Sequence, residues 1–137
     1  MHNLNPISPL GNTKPLSEEF GSYTLSEITS YSLASFTLRK GTEGDARKII
    51  EQFIQGSLPD IMTSNFGKIS SFWIGPSQWL IEAPMETHED LAGDLTEIAN
   101  GTASVTEQTD AWCRFDLKGQ ELASPLALLC NVDVPSF

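Results

Sequence analysis

The stretch FWIGPSQWLIEAP, residues 72–84, constrains the fold of this chain more than any other. Two apolar segments, each with one tryptophan, flank Gly-Pro-Ser-Gln, a composition typical of a turn. The pattern predicts two antiparallel strands in which Ile74 pairs with Trp79. In this register the apolar face holds Phe72, Ile74, Trp79, Ile81 and Ala83, and the mixed face holds Ser71, Trp73, Leu80 and Glu82. The apolar face is the expected core face, and a one-residue slip would exchange the two.

The segments before this hairpin predict one strand and one helix. Residues Tyr31–Lys40 alternate along the chain in the manner of a strand. Residues Asp45–Gln55 carry an apolar stripe with helical spacing, formed by Ala46, Ile49, Ile50, Phe53 and Ile54. We expect Asp45 to cap the start of this helix and Gly56 to end it. The next segment, residues 57–68, is expected to form a loop.

A second helix is predicted between Thr87 and Gly101. Its apolar residues recur at helical spacing and are Leu91, Leu95 and Ile98. Thr87 and Asp90 have the spacing of a capping box, in which the first residue caps the helix. Asn100-Gly101 is a typical stop signal, so the helix is expected to end there.

Two strands and a helix complete the pattern. Residues 102–110 and 111–119 are predicted strands. In the second of them Cys113, Phe115 and Leu117 are expected to face inward, and Trp112, Arg114 and Asp116 outward. Residues 119–130 have a helical pattern that contains Pro125. Either the proline kinks this helix, or Ser124 caps a shorter helix that begins at the proline.

The composition divides the chain into an N-terminal arm, residues 1–30, and a single domain, residues 31–137. The arm is rich in Pro, Ser, Asn and Thr, so we expect it to be loose or laid over a neighbour, with single helical turns at SEEF and TLSEI. In the domain the order is strand, helix, strand, strand, helix, strand, strand, helix. This order predicts an α+β fold, with two strand-and-helix units around a largely antiparallel sheet.

The charge of the chain argues against several classes of function. A net charge of −10, with eight Lys and Arg residues, is unfavourable for binding nucleic acid or an anionic membrane surface. No apolar run approaches the ~20 residues of a membrane span. The N-terminal sequence MHNLNPISPL lacks the basic start and apolar block of a secretory signal. We therefore expect a cytoplasmic protein.

Residues suited to catalysis or metal binding are scarce in the sequence. No glycine-rich phosphate-binding motif is present. His2 and His88 are too few for a Ser-His-acid arrangement or a metal site. Cys113 and Cys130 are expected to be buried, reduced thiols. We therefore expect no catalytic, cofactor-binding or metal-binding residue in this chain.

The tryptophans are the remaining candidates for a functional surface. Trp79 is expected in the core. Trp73 and Trp112 are predicted on outer faces, where such rings either contact a partner or are covered by helices. Together with Leu80 and Phe137, they form the predicted partner interface.

Three segments, taken in order, carry a family resemblance: FWIGPSQWLIEAP, GTASVTEQTD and LLCNVDVPSF. Over residues 32–137 the chain resembles the gamma subunit of heterotetrameric sarcosine oxidase. The resemblance implies a fold similar to the folate-binding domain of the glycine-cleavage T-protein. It also implies membership of a complex that oxidatively demethylates sarcosine to glycine, with hydrogen peroxide and either formaldehyde or methylene-tetrahydrofolate as products.

The resemblance further implies how cofactors are shared in such a complex. The alpha and beta subunits hold FAD, FMN, NAD and tetrahydrofolate, and the delta subunit binds zinc. The gamma subunit carries no cofactor or catalytic residue of its own. The leading hypothesis is therefore an accessory, non-catalytic subunit that supports the alpha subunit through a tryptophan-bearing face and the N-terminal arm.

Three other hypotheses remain open on the sequence alone. The same accessory role could serve a complex that acts on another N-methyl amino acid. A stand-alone folate-binding module, with Trp112 and Asp116 in an aromatic pocket, would have a different function on the same fold. A self-associating structural protein would use the same aromatic face.

Overall fold

The computed structural model describes residues 7–130, which form eight strands, three α-helices and a short 3₁₀ helix at Thr109–Ala111. The strands are β1 (Ser17–Phe20), β2 (Tyr23–Ile28), β3 (Tyr31–Leu38), β4 (Ser64–Asn65), β5 (Ser70–Gly75), β6 (Gln78–Pro84), β7 (Ala103–Glu107) and β8 (Arg114–Lys118). The helices are α1 (Glu43–Ile54), α2 (Leu91–Ala99) and α3 (Ala123–Leu129). The predicted α+β class is confirmed, but the strands form two antiparallel sheets instead of one.

The chain separates into two compact units. Unit 1 comprises the described parts of Met1–Thr29 and Cys113–Phe137, and unit 2 comprises Ser30–Trp112. The predicted division into an arm, residues 1–30, and a domain, residues 31–137, stays a prediction, because residues 1–6 and 131–137 lie outside the described part of the chain.

Unit 2 is a five-stranded sheet with two helices against one face. The strand order is β4-β5-β6-β3-β7, and every neighbouring pair is antiparallel. The inward side chains of the two helices pack on this face with those of the central strands. The buried core consists of Ala34, Phe36, Ala46, Ile50, Ile54, Leu58, Trp79, Ile81, Ala83, Leu91, Leu95, Ala99 and Ala103.

Helix α1 follows the predicted apolar stripe and is longer at its N-terminus than expected. Ala46, Ile50 and Ile54 are buried at intervals of four residues, which is the spacing of one helical face. The helix begins at Glu43, so Asp45 lies in the first turn and the prediction that it caps the helix was wrong. The left-handed residue at the end is Gln55, with φ 56°, and not Gly56.

Helix α2 is capped by Asp90 instead of Thr87. A carboxylate oxygen of Asp90 accepts a hydrogen bond from the Gly93 N–H at 2.9 Å. This satisfies one of the donors left unpaired at a helix start. The predicted stop is confirmed, because Asn100 adopts the left-handed conformation that ends the helix and Gly101 follows with φ 84°.

The β5–β6 hairpin forms as predicted, but its register differs by one residue. Trp73 faces Trp79 and Phe72 faces Leu80, whereas the prediction paired Ile74 with Trp79. A bulge lies between Trp73 and Gly75, and it adds one residue to β5 before the turn. Trp73 therefore lies on the helix-covered face of the sheet.

Unit 1 contains a three-stranded sheet in the order β1-β2-β8. The segments SEEF and YTLSEI form strands, so the helical turns predicted for SEEF and TLSEI were wrong. Leu25 faces Glu18 on one side and Leu117 on the other, which fixes the register of all three strands. Cross-strand pairing, which sequence periodicity does not reveal in short polar segments, decides the structure here.

Helix α3 is the shorter of the two alternatives for the last helix. It begins at Ala123, so Pro125 lies in the first turn, where the missing N–H of proline costs little. Ser124 is inside the helix, and Leu122 occupies the capping position without a side-chain hydrogen bond. Leu128 and Leu129 are largely exposed, so this helix does not bury an apolar face.

Candidate functional site

The face of the five-stranded sheet opposite α1 and α2 carries an apolar strip near its β4 edge. Phe72 faces Leu80 directly across the β5–β6 pair, and Ser64 faces Phe72 across the β4–β5 pair. Directly opposed residues share a face of the sheet. The ring of Phe66, just after β4, packs edge-on against the ring of Phe72, with centroids 5.6 Å apart and planes at 80°. Phe66 itself is 78% exposed.

A strained turn lies next to this strip. The Thr63 N–H donates to the Asp60 carbonyl at 3.1 Å, so residues 60–63 form a β-turn. Its third residue is Met62, with φ 58°, in a conformation that usually requires glycine or asparagine. Ile61 and Met62 are 71% and 64% exposed. The turn therefore exposes two large apolar side chains to water, and Met62 also has a backbone conformation that is unfavourable for a residue with a side chain.

The turn and the strip form one surface. The Trp73 N–H donates to the Thr63 carbonyl at 3.1 Å, which continues the β4–β5 pairing by one residue. Because the strands are antiparallel, this bond brings the turn beside Ile74, which is also exposed. We call this surface the β4 patch; its residues are Ile61, Met62, Phe66, Phe72, Ile74 and Leu80.

The four residues predicted at a partner interface are not all brought together. Leu80 belongs to the β4 patch and is half-buried. Trp73 packs against the core on the opposite face of the sheet, so its predicted outward orientation was wrong. Trp112 is 55% exposed, and its indole N–H donates to the Gln108 side-chain oxygen at 3.1 Å. Phe137 lies outside the described residues. The partner role of these residues stays a prediction.

Half of the β4 patch was missed because Ile61, Met62 and Phe66 lie in a predicted loop. A loop prediction for residues 57–68 does not by itself indicate a surface role for Ile61, Met62 and Phe66. The available signal was charge depletion, because Ser57–Leu80 contains one acid, Asp60, and one base, Lys68. Few charges combined with Met and aromatic residues are typical of the centre of a protein interface.

Within residues 7–130, His88 is engaged in structural contacts. Nδ1 of His88 lies 2.9 Å from a carboxylate oxygen of Asp94, and the imidazole ring packs edge-on against Phe53. In residues 7–130, no three His, Cys, Asp or Glu side chains are placed to hold a metal ion. Cys113 and Cys130 are both exposed, so the prediction of buried thiols was wrong.

Glu27 is a buried carboxylate with a structural role in unit 1. Its two oxygens accept hydrogen bonds from the backbone N–H groups of Leu10 and Leu16, each at 2.9 Å. Its own N–H donates to the Leu16 carbonyl at 2.8 Å. Burial acts to raise the pKa of Glu27, but hydrogen bonds from the backbone of Leu16 and Leu10 outweigh it and hold the pKa below the usual value. The ionised carboxylate thus fixes the segment before β1 to β2.

Acidification is expected to release this segment. The pKa of Glu27 is lower in the folded protein than its usual value of 4.5, so the ionised form stabilises the fold. This stabilisation is complete above pH 4.5 and is lost as the pH falls through the lowered pKa. In a Glu27→Gln variant at neutral pH, at least one of the Leu10 and Leu16 amides should exchange with solvent several-fold faster, because glutamine keeps only one oxygen acceptor for the two N–H groups.

Hydrogen exchange resolved by NMR measures this release. Glu18→Gln is the matched control, because Glu18 is an exposed carboxylate on β1 of the same unit. The control should leave the exchange of Leu10 and Leu16 unchanged. Equal protection of the two amides in the wild type and in Glu27→Gln would contradict the structural role of this carboxylate.

No helix within residues 7–130 has the length and apolar character needed to cross a lipid bilayer.

The fold of this chain is similar to that of a known protein. It is an α+β protein in which an antiparallel sheet is covered by two helices on one face. Among solved structures it is similar to a chain of the heterotetrameric sarcosine oxidase from Corynebacterium sp. U-96, determined in complex with pyrrole 2-carboxylate. The TM-score is 0.68 and the sequence identity is 17%, over 82% of this chain.

The similarity covers part of the sarcosine oxidase chain and is a similarity of fold. The chain spans 57% of the length of the sarcosine oxidase chain. No protein-family model matches the sequence, and a search of curated proteins finds no match. At 17% identity the comparison therefore shows a shared fold, and the role of the chain has to be argued from its own surface.

Proposed function

We propose that this chain is an accessory, non-catalytic subunit of a hetero-oligomeric flavoenzyme of the sarcosine oxidase kind. The observation that carries this proposal is the similarity in fold to a chain of a heterotetrameric enzyme, with a TM-score of 0.68. The β4 patch supports it, because large contiguous apolar surfaces on folded proteins usually mark a contact with another protein.

The chemistry of such a complex would be located in its partner subunits. The alpha and beta subunits would hold FAD, FMN, NAD and tetrahydrofolate, and a delta subunit would bind zinc. The reaction would be oxidative demethylation of sarcosine to glycine, or of another N-methyl amino acid, in the cytoplasm. This chain would contribute buried contact area to the complex, since a standard interface buries about 800 Å² on each partner, which a 15.0 kDa chain can supply.

Co-expression tests the accessory role. The full chain is produced together with candidate alpha and beta subunits from the same organism, and a tag on the alpha subunit is used for purification. We expect this chain to co-purify and to elute with the large subunits in size-exclusion chromatography. Elution of this chain alone, in the presence of both subunits, would remove the proposal.

A stand-alone folate-binding module is the rival from a different class. The pocket suggested for it used Trp112 and Asp116, but Trp112 is 55% exposed and its indole N–H donates to the Gln108 side chain. The carboxylate of Asp116 is also engaged, because it lies 3.2 Å from the Arg114 guanidinium. Calorimetry with tetrahydrofolate and the isolated full chain distinguishes the two functions. Saturable binding would favour the folate-binding module, and no binding would remove it.

A further inference from the structure

The β4 patch combines several independent departures from an ordinary protein surface. Met62 occupies a left-handed position that is costly for a residue with a side chain, and that side chain is exposed. Phe66 is more exposed still, although its ring is fixed against Phe72. An unfavourable backbone conformation and exposed apolar side chains that do not stabilise the folded chain are expected where a surface binds another molecule.

The charge distribution narrows the kind of molecule that fits this surface. Residues 30–112 contain twelve acids and five Lys and Arg residues, so unit 2 has a net charge of −7. Within it, Ser57–Leu80 is balanced, with one acid and one base. The β4 patch is therefore contributed by a nearly uncharged stretch of an acidic unit. A matching surface would be apolar at its centre and basic around it, because opposite potentials favour encounter and like charges oppose it.

The same charges disfavour a second copy of this chain as the occupant. Each copy would bring a net charge of −10 to the contact. A larger subunit with Lys and Arg around an apolar contact has no such disadvantage.

We propose that the β4 patch is the docking surface of this chain for the large subunit of its complex, and that the subunit presents an apolar contact with a basic rim. This inference rests on the accessory role proposed above and adds the location and chemistry of the contact. Phe66 and Met62 are its anchors, since exposed aromatic and methionine side chains at the centre of an interface contribute most to binding. Trp73 has no part in the contact, because it packs against the core on the helix-covered face.

The test compares two double variants of the full chain in the co-expression experiment. Met62→Ser with Phe66→Ser removes the two anchors of the β4 patch. Phe20→Ser with Leu128→Ser is the matched control, because it removes two equally exposed apolar side chains from unit 1. We expect the patch variant to lower the amount of chain recovered with the tagged alpha subunit by about tenfold or more, which is the effect of losing interface anchors. The control should change recovery by less than about twofold.

A third variant distinguishes loss of binding from misfolding. Ile61→Asp places a charge in the patch without touching the Phe66–Phe72 pair, and Ile61 is exposed, so the fold should tolerate it. The urea midpoint of each variant is followed by far-UV circular dichroism, which reports on both units. Ile61→Asp and the control should match the wild type, and the double patch variant should be only slightly less stable, through the lost Phe66–Phe72 contact. If the double patch variant unfolds early, the recovery of Ile61→Asp decides the result.

The basic rim is tested by salt. The association rate of the wild-type chain with the immobilised alpha–beta subcomplex should fall several-fold when NaCl is raised from about 50 to about 500 mM. The Debye length shortens about threefold over this range, so the attraction between the two charged surfaces is screened. An association rate that is unchanged or rises with salt would overturn the proposed rim.

The outcomes separate the two proposals. If the wild type and both patch variants co-purify equally well, the docking surface is wrong and the accessory role stands. If the wild type itself fails to co-purify, both proposals fall. Sedimentation of the isolated wild type as a dimer that becomes a monomer in Met62→Ser with Phe66→Ser would show that a second copy covers the patch, which also overturns the docking proposal.

Discussion

Replacing Phe36 with alanine is expected to lower the free energy of unfolding of unit 2 by about 3–5 kcal/mol. Phe36 is fully buried at the centre of β3, where it faces Trp79 on one neighbouring strand and Val105 on the other. Truncation removes the aromatic ring and leaves a cavity between the sheet and the helices. Close-packed surroundings relax into such a cavity only in part, so the cost exceeds the transfer energy of the lost atoms.

Urea unfolding followed by tryptophan fluorescence measures this loss. All three tryptophans of the chain lie in unit 2, so their signal reports on that unit. Phe66→Ala is the matched control, because it makes the same chemical change at a largely exposed position. It should cost about 1 kcal/mol or less, mainly through the lost contact with Phe72. Equal losses in the two variants would show that Phe36 is not at the centre of the core.

Replacing Trp79 with alanine is expected to cost a similar amount, about 3–5 kcal/mol, for a different combination of reasons. The ring is buried in the core, and the Arg47 guanidinium lies 5.2 Å from its centroid. The indole N–H donates to the buried carbonyl of Pro59 at 2.9 Å. Truncation therefore creates a cavity and also frees the segment that leads into the 60–63 turn.

The Trp79→Phe variant separates these two contributions. Phenylalanine retains most of the apolar contact but cannot donate a hydrogen bond, so the Pro59 carbonyl is left buried without a partner. We expect a cost of about 1–3 kcal/mol from this loss. Trp112→Phe is the control and should cost about 0.5 kcal/mol or less, because Trp112 is mostly exposed. A Trp79→Phe variant as stable as the wild type would show that the hydrogen bond has no role in stability.

The elements of unit 2 could be predicted because each has a local signal. The apolar stripes of α1 and α2 match the residues that they bury, and Asn100-Gly101 marks the end of α2 as expected. The hairpin was predicted from two apolar segments and a turn composition. Its register was wrong because a bulge at Ile74 leaves no trace in the pattern of alternation. That single residue moved Trp73 from the predicted outer face to the core.

The elements of unit 1 could not be predicted because their signals are not local. β2 pairs with β8, which lies about ninety residues further along the chain, and no periodicity within either segment indicates the partner. The inward placement expected for Phe115 assumed a central strand in a single sheet. β8 is an edge strand of a separate three-stranded sheet, where Phe115 is exposed. The thiols were misplaced for a different reason: their burial was expected from the general habit of cysteine, whereas both lie in unit 1 and are exposed.

The discontinuous composition of unit 1 has a consequence for synthesis on the ribosome. Residues 30–112 are contiguous, so a nascent chain contains all of unit 2 before β8 has been translated. At about 5–20 residues per second, β8 follows within a few seconds. During that interval the β1–β2 hairpin has made none of its β8 hydrogen bonds and exposes an open backbone edge. The free edge of β2 therefore stays unpaired until the last strand of the described chain has been made.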